Sequence, residues 1–259
     1  MKQSSQSLLH AANDLAGLVA ATAMQWYRRN NFSVETKSDG SPVTIADREG
    51  ERAARNWLEQ RFPRDGILGE EFGAVRASAP RRWIIDPIDG TKAFVRGVPL
   101  WGTLVAVCDG DEVLAGAACY PAVDEVIAAA PGEGCWWNGE RARVSTVSSL
   151  ASCTALVTDS RFPQRRHRQL SWERLGSMVS VCRTWGDCYG YLLVATGRAE
   201  VMVDDVVNVW DAAAMKPIIE EAGGVFTSWR GESTAFGGDV IATNAAVADA
   251  ARNVLLEKP

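Results

Sequence analysis

Trp83-Ile84-Ile85-Asp86-Pro87-Ile88-Asp89-Gly90-Thr91 is the stretch from which the rest of the chain is best read. The apolar run predicts a buried strand that ends at the first acid. Pro87 has no N–H to give to a ladder and biases Asp86 toward extended backbone, so Asp86 and Asp89 flank a fixed turn. Two carboxylates held together repel each other, and such a pair shares a proton or binds a cation. An oxygen-only donor set suits Mg²⁺ better than Zn²⁺. Gly90 is either a plain turn residue or a point of close backbone approach, with helix-start N–H groups behind it facing an anion. Thr91 adds a hydroxyl able to hold a water. Cation-binding carboxylates beside an anion-binding turn are the equipment for metal-assisted hydrolysis of a phosphate ester.

Working outward, residues 5–29 predict a helix, since Leu8, Ala12, Leu15, Val19, Ala23 and Trp26 recur at helical spacing. The polar stretch 30–42, with Lys37, Ser38, Asp39 and Gly40, predicts a loop or hairpin. Residues 44–61 predict a second helix, 63–66 a turn and 67–69 a short strand. Strands follow at 82–86, 101–108, 112–120 and 123–130, with antiparallel pairing indicated by turns such as Asp109-Gly110. Beyond residue 145 strand and helix alternate: strands at 155–158, 178–183 and 199–204, and helices at 165–177 and 189–196. A helix opened by Asp211 runs to Gly223-Gly224 with Pro217 inside it, where a kink is expected. Strands at 225–229 and 240–242 and a C-terminal helix close the chain. The pattern divides into an α+β part, 1–145, that carries the site loops and an α/β part, 146–259, joined in one compact unit.

Other acids also follow apolar runs. Glu70-Glu71 comes after Ile67-Leu68-Gly69, and Asp211 follows residues 206–210. Asp47 falls in the first turn of the second helix. Taken singly, Asp47 and Asp211 are ordinary helix-start acids and Glu70-Glu71 a solvated turn. Taken with the turn at 86–91, they form a candidate cation cage.

The 259 residues, 47% hydrophobic and 23% charged with a net charge of −5, have the composition of a globular protein with a sizeable core. The one basic cluster, Arg161, Arg165, Arg166, His167 and Arg168, is either a solvated face or a phosphate contact. A nucleic-acid partner is not expected without a larger basic surface. No run approaches ~18 apolar residues, and the N-terminus lacks a signal-peptide pattern, so no membrane association and a cytoplasmic location are expected. The six cysteines form no CxxC pair, and two histidines make a His-based metal site or triad improbable. The cysteines read as reduced, buried, small apolar residues.

Leu68-Gly69-Glu70-Glu71, Asp86-Pro87-Ile88-Asp89-Gly90-Thr91 and Trp210-Asp211-Ala212-Ala213, in this order, resemble the signature segments of the inositol monophosphatase family. The resemblance extends over nearly the whole chain, through Glu221-Ala222-Gly223-Gly224 and Ala242-Thr243-Asn244. It implies a layered αβαβα sandwich and a Mg²⁺-dependent, lithium-sensitive phosphomonoesterase, typically a homodimer. Glu70, Asp86 and the Ile88 carbonyl would hold one Mg²⁺, and Asp86, Asp89 and Asp211 a second. Asp47 with Glu70 would serve a weaker third ion, and Mn²⁺ would substitute. Glu70 and Thr91 would orient and activate the attacking water, with Asp47 in the catalytic group. The Gly90 and Thr91 amides would bind phosphate.

Within that family, three segments are similar to the histidinol-phosphate phosphatase branch: Phe94-Val95-Arg96-Gly97-Val98-Pro99, Gly186-Asp187-Cys188-Tyr189-Gly190-Tyr191 and Phe236-Gly237-Gly238. Acids at Asp187 and Asp204, with Arg96 as a further substrate contact, suit a small cationic phosphate monoester, L-histidinol phosphate first, over a neutral polyol. Asp187 also reads as a simple cap of the helix at 189. Val206-Val207-Asn208-Val209 is more apolar than that branch suggests. Trp136-Trp137 fits a hairpin edge, and Trp101, Trp185 and Tyr189 fit either a pocket wall or core. The competing readings are a myo-inositol-1-phosphate phosphatase, a relaxed sugar or metabolite phosphatase, and a non-catalytic metal or phosphate binder. An adenosine bisphosphate phosphatase would need a base-stacking site that the sequence does not show.

Overall fold

The computed structural model describes residues 4–29, 34–36 and 42–256. Lys37, Ser38, Asp39 and Gly40 of the expected loop lie outside the described residues. Helix α1 (Ser5–Met24) is capped by the Ser4 hydroxyl, which accepts the Ser7 amide. It buries the predicted stripe and ends before Trp26, whose indole N–H reaches Glu49. Strands β1 (Val34–Thr36) and β2 (Pro42–Thr44) pair antiparallel and lead into α2 (Ile45–Arg61).

The chain then lays down β3 (Gly66–Gly69), β4 (Gly73–Val75) and β5 (Arg81–Asp89), the short helix α3 (Thr91–Phe94), and β6 (Gly102–Asp109). The strands β7 (Glu112–Tyr120), β8 (Glu125–Ala130), β9 (Gly134–Trp137) and β10 (Glu140–Arg141) complete a sheet ordered β10-β9-β8-β7-β6-β5-β3-β4. β6, β7 and β8 are antiparallel as expected, whereas β3 runs parallel to β5. The turn residues between β6 and β7 are Gly110-Asp111, one place later than expected. Trp136 and Trp137 lie on β9, near the sheet edge.

The second half adds β11 (Thr154–Val157), α4 (His167–Met178), β12 (Val181–Arg183), α5 (Asp187–Ala195), β13 (Val201–Asp204), α6 (Val209–Ala212), α7 (Met215–Glu221), β14 (Gly224–Thr227), β15 (Val240–Asn244) and α8 (Ala248–Leu256). Its sheet is ordered β12-β11-β13-β15-β14. The single helix expected from Asp211 is interrupted at residues 213–214. Pro217 falls in the first turn of α7, where its missing N–H would have had no partner, so the break replaces a kink. α4 runs to Met178, shortening the strand expected at 178–183 to β12.

Three of the four apolar clusters among the described residues bind five layers. The first joins α1 and α2 to one face of the large sheet, and it includes Leu15, Val19, Leu58 and Trp83. The second, with Leu104, Leu192, Met202 and Ile218, joins the other face to α5, α6, α7 and the smaller sheet. The third joins that sheet to α4 and α8 through Trp172, Leu175 and Leu255. β6 is buried on both faces because helices cover both. This is the expected αβαβα sandwich.

Candidate active site

The turn at Asp86–Asp89 is a bulge inside β5. Pairing with β6 runs to Asp86↔Leu104, lapses, and resumes at Asp89↔Gly102. Pro87 lies in the lapse, where no amide is needed, and its carbonyl accepts from the Thr103 hydroxyl. The bulge turns both carboxylates the same way. Asp86 Oδ1 accepts the Ile88 amide at 3.0 Å and Asp89 Oδ2 the Cys188 amide at 2.5 Å. Gly90 follows at φ +85°, and a Cβ there would stand 3.0 Å from the Leu100 carbonyl oxygen.

Asp47 and Asp211 arrive by one device. Each is the third helical residue of a capping box, in which a carboxylate reaches back to the N-cap amide. Asp47 Oδ2 accepts from the Thr44 amide and hydroxyl at 2.8 and 2.7 Å, and Asp211 Oδ2 from the Asn208 amide at 2.7 Å. Asp47 is thus in the first turn of α2 as expected, and Asp211 stands at the third position of α6 rather than opening it. Glu70 follows the end of β3, its amide on the Ile85 carbonyl. Thr91 Oγ1 donates to the Ile88 carbonyl at 2.9 Å and lies 3.5 Å from Asp47 Oδ1.

Carboxylate oxygens of Asp86, Asp89 and Asp211 all come within 4.8 Å of one another. Burial first, then the charges of Glu70, Asp89 and Asp211, push Asp86 well above the usual carboxylate range. Burial, with Asp187 and Asp211, raises Asp89 against the opposing pull of the Cys188 hydrogen bond. Burial raises Asp211 to about 7 and Asp47 to about 6, and Glu70 adds to both. Acids this close, all resisting ionisation, lack positive charge. A hard divalent cation supplies it with the oxygen donors it prefers, so the residues fit such an ion.

A cavity of about 210 Å³ opens beside the cluster. Asp89 and Asp211 border it, with Lys92, Asp187, Tyr191 and Asp204. Asp187 stands at φ +49° in the first turn of α5, its amide bonded to the Thr158 hydroxyl. It is both the helix-start residue and a wall of the cavity. Asp204 ends β13, where it accepts from the Tyr191 hydroxyl at 2.7 Å and the Thr158 amide at 3.3 Å, and burial lifts it to about 7.

Arg96 does not border the cavity; it is exposed and bonded to the Lys92 carbonyl. Arg96 lies past the end of α3, whereas Lys92 lies within it, and the cavity takes Lys92. Sequence reasoning passed over Lys92 despite its place next to Thr91, and Asn208 despite its capping-box spacing from Asp211. Trp101 is core, packed on Phe94 and Tyr27. Trp185 is 44% exposed, and neither it nor Tyr189 borders the cavity. In the basic cluster Arg161 pairs with Asp159, and Arg165 and Arg168 with Asp239. Those guanidiniums are held by acids.

The sequence pattern of the inositol monophosphatase family matches residues 4–258. A protein named histidinol-phosphatase from Chlorobaculum parvum is 38% identical over 92% of each chain. A fructose-1,6-bisphosphatase/inositol-1-monophosphatase from Thermotoga maritima is 33% identical over 90% of each. The crystal structure of extragenic suppressor protein suhB from Bartonella henselae superposes with a TM-score of 0.90 at 26% identity, covering 98% of this chain and all of that one.

Proposed function

The chain belongs to the inositol monophosphatase family and is a phosphoric monoester hydrolase, and from that premise we propose that it hydrolyses L-histidinol phosphate to L-histidinol and phosphate with Mg²⁺. The observation that carries the reading is the pairing, across one cavity, of the Asp86–Asp89–Asp211 oxygen cluster with a second acidic wall, Asp187 and Asp204. A neutral polyol gains nothing from that wall, whereas the ammonium or imidazolium of an amino alcohol does. The greater identity to a protein named histidinol-phosphatase supports the same choice.

In this reading Glu70, Asp86, the Ile88 carbonyl, Asp89 and Asp211 hold two ions, Asp47 serves a third, and Mn²⁺ substitutes. When bound, the ions neutralise phosphate charge and make water a stronger nucleophile. The chain's own groups do the rest. The Gly90 and Thr91 amides orient the phosphate. Asp47 Oδ1 is near enough to take the Thr91 proton, which frees Oγ1 to accept one from the attacking water; Glu70 accepts beside it. Lithium sensitivity, a role in histidine biosynthesis, a cytoplasmic setting and a homodimer belong to the same reading.

Phosphate release from histidinol phosphate, inositol 1-phosphate and an adenosine bisphosphate, with Mg²⁺, Mg²⁺ plus Li⁺, or chelator, tests it. The first substrate is expected to have the largest kcat/KM, and chelator to abolish turnover. A larger kcat/KM for inositol 1-phosphate would overturn the charge argument. Unchanged Mg²⁺-dependent turnover in Asp89→Asn would overturn the ion scheme.

A further inference from the structure

A second buried acid on α2 holds the turn that carries Glu70. Glu51 lies one helical turn beyond Asp47, so both leave the same face of α2. They are 0% and 1% exposed. Asp47 is turned to Thr91, whereas Glu51 reaches the connection between β3 and β4. Its Oε2 accepts the Glu71 amide at 2.7 Å and its Oε1 the Phe72 amide at 3.2 Å. Arg55, one turn further, donates Nε to Glu51 Oε1 at 2.8 Å and a terminal N–H to the Gly73 carbonyl. The glycine at position 69 admits the carboxylate, since a Cβ there would fall 2.1 Å from Glu51 Oε1.

This arrangement answers a mechanical problem. Glu70 sits in a connection of three residues between β3 and β4, where its own amide still reaches the Ile85 carbonyl of β5. Glu70 shares a side-chain hydrogen bond with Asp86 and lies near Asp47 and Asp211, so its place in the cluster depends on the turn that carries it. We infer that Glu51, paired with Arg55, is a positioning residue that fixes the Glu70 turn through the Glu71 and Phe72 amides and thereby sets divalent-cation affinity. The inference rests on the metal-dependent reading above. Residues behind a metal ligand typically alter affinity by about 10–100-fold.

The test is direct Mn²⁺ binding followed by electron paramagnetic resonance, together with the Mg²⁺ concentration that half-saturates phosphate release from histidinol phosphate. Glu51→Gln places an amide group against the Glu71 and Phe72 N–H groups. It is expected to weaken Mn²⁺ binding and raise the Mg²⁺ requirement about tenfold, with KM for the ester at saturating Mg²⁺ nearly unchanged. Asp65→Asn removes a buried acid paired with Arg81 in the same half of the molecule, away from the cluster. It is expected to lower Tm and leave Mn²⁺ affinity alone. Should Glu51→Gln fail to fold, Arg55→Gln, at a side chain 15% exposed, carries the same expectation. Wild-type Mn²⁺ affinity in the folded variant, or an equal loss in Asp65→Asn, overturns the inference. Absence of Mn²⁺ binding by the wild-type chain overturns instead the metal reading beneath it.

Discussion

Stripping the protein of divalent cations should make it less stable as pH rises from mildly acidic to neutral. Asp204 is held at about 7 where its ordinary value is 3.8. Ionising it in place costs the folded state on the order of 4 kcal/mol. Asp211, raised to about 7, and Asp47, raised to about 6, act in the same direction. Each folded pKa lies above the unfolded one, so the folded chain keeps extra protons between about pH 4 and pH 7. Their contribution is complete below the unfolded value and is lost as pH rises through the folded one. Urea unfolding in EDTA, stepped across that window, should show stability falling by several kcal/mol. Saturating Mg²⁺ should restore much of the loss at neutral pH, by about 2.7 kcal/mol at a hundredfold excess over Kd. Asp204→Asn should remove only the Asp204 share, since that residue lies on the cavity wall apart from the cluster. Stability in EDTA that is flat, or that rises toward pH 7, would refute the reasoning.

Other outcomes follow from single contacts. Thr91→Ala should lower kcat about a hundredfold with little change in KM, measured by steady-state phosphate release. Asp187→Ala should raise KM for histidinol phosphate about tenfold, more than it lowers kcat, and should leave KM for inositol 1-phosphate nearly unchanged. Leu15→Ala, at a fully buried position of α1, should cost about 2–5 kcal/mol by urea unfolding. Asn208→Pro, which removes the amide that Asp211 Oδ2 accepts, should raise the Mg²⁺ requirement for phosphate release because Asp211 loses part of its frame.

Much of the site was readable because its acids are framed by near neighbours. Thr44 fixes Asp47 and Asn208 fixes Asp211 across three residues, and Pro87 interrupts the ladder between Asp86 and Asp89. The same locality made the long helices and the antiparallel strands readable. The errors came where distant packing chose between local options. Arg96 and Lys92 are equally plausible in sequence, and only the packed structure shows that Lys92, on α3, borders the cavity while Arg96, past its end, does not. The break at residues 213–214 and the parallel pairing of β3 with β5 were likewise set by the layers around them.

By itself the sequence determined which acids are candidates for the site and how each is presented to its own strand or helix, since caps, bulges and periodicity act over a few residues. Only the tertiary structure decided that Asp47, Glu70, Asp86, Asp89 and Asp211 meet, that Asp187 and Asp204 face them, and that Glu51 stands behind Glu70. Those meetings join residues up to well over a hundred positions apart. They exist because apolar faces of α1, α2 and α5–α7 are buried against two sheets, which brings mutually repelling carboxylates together that no local preference would assemble.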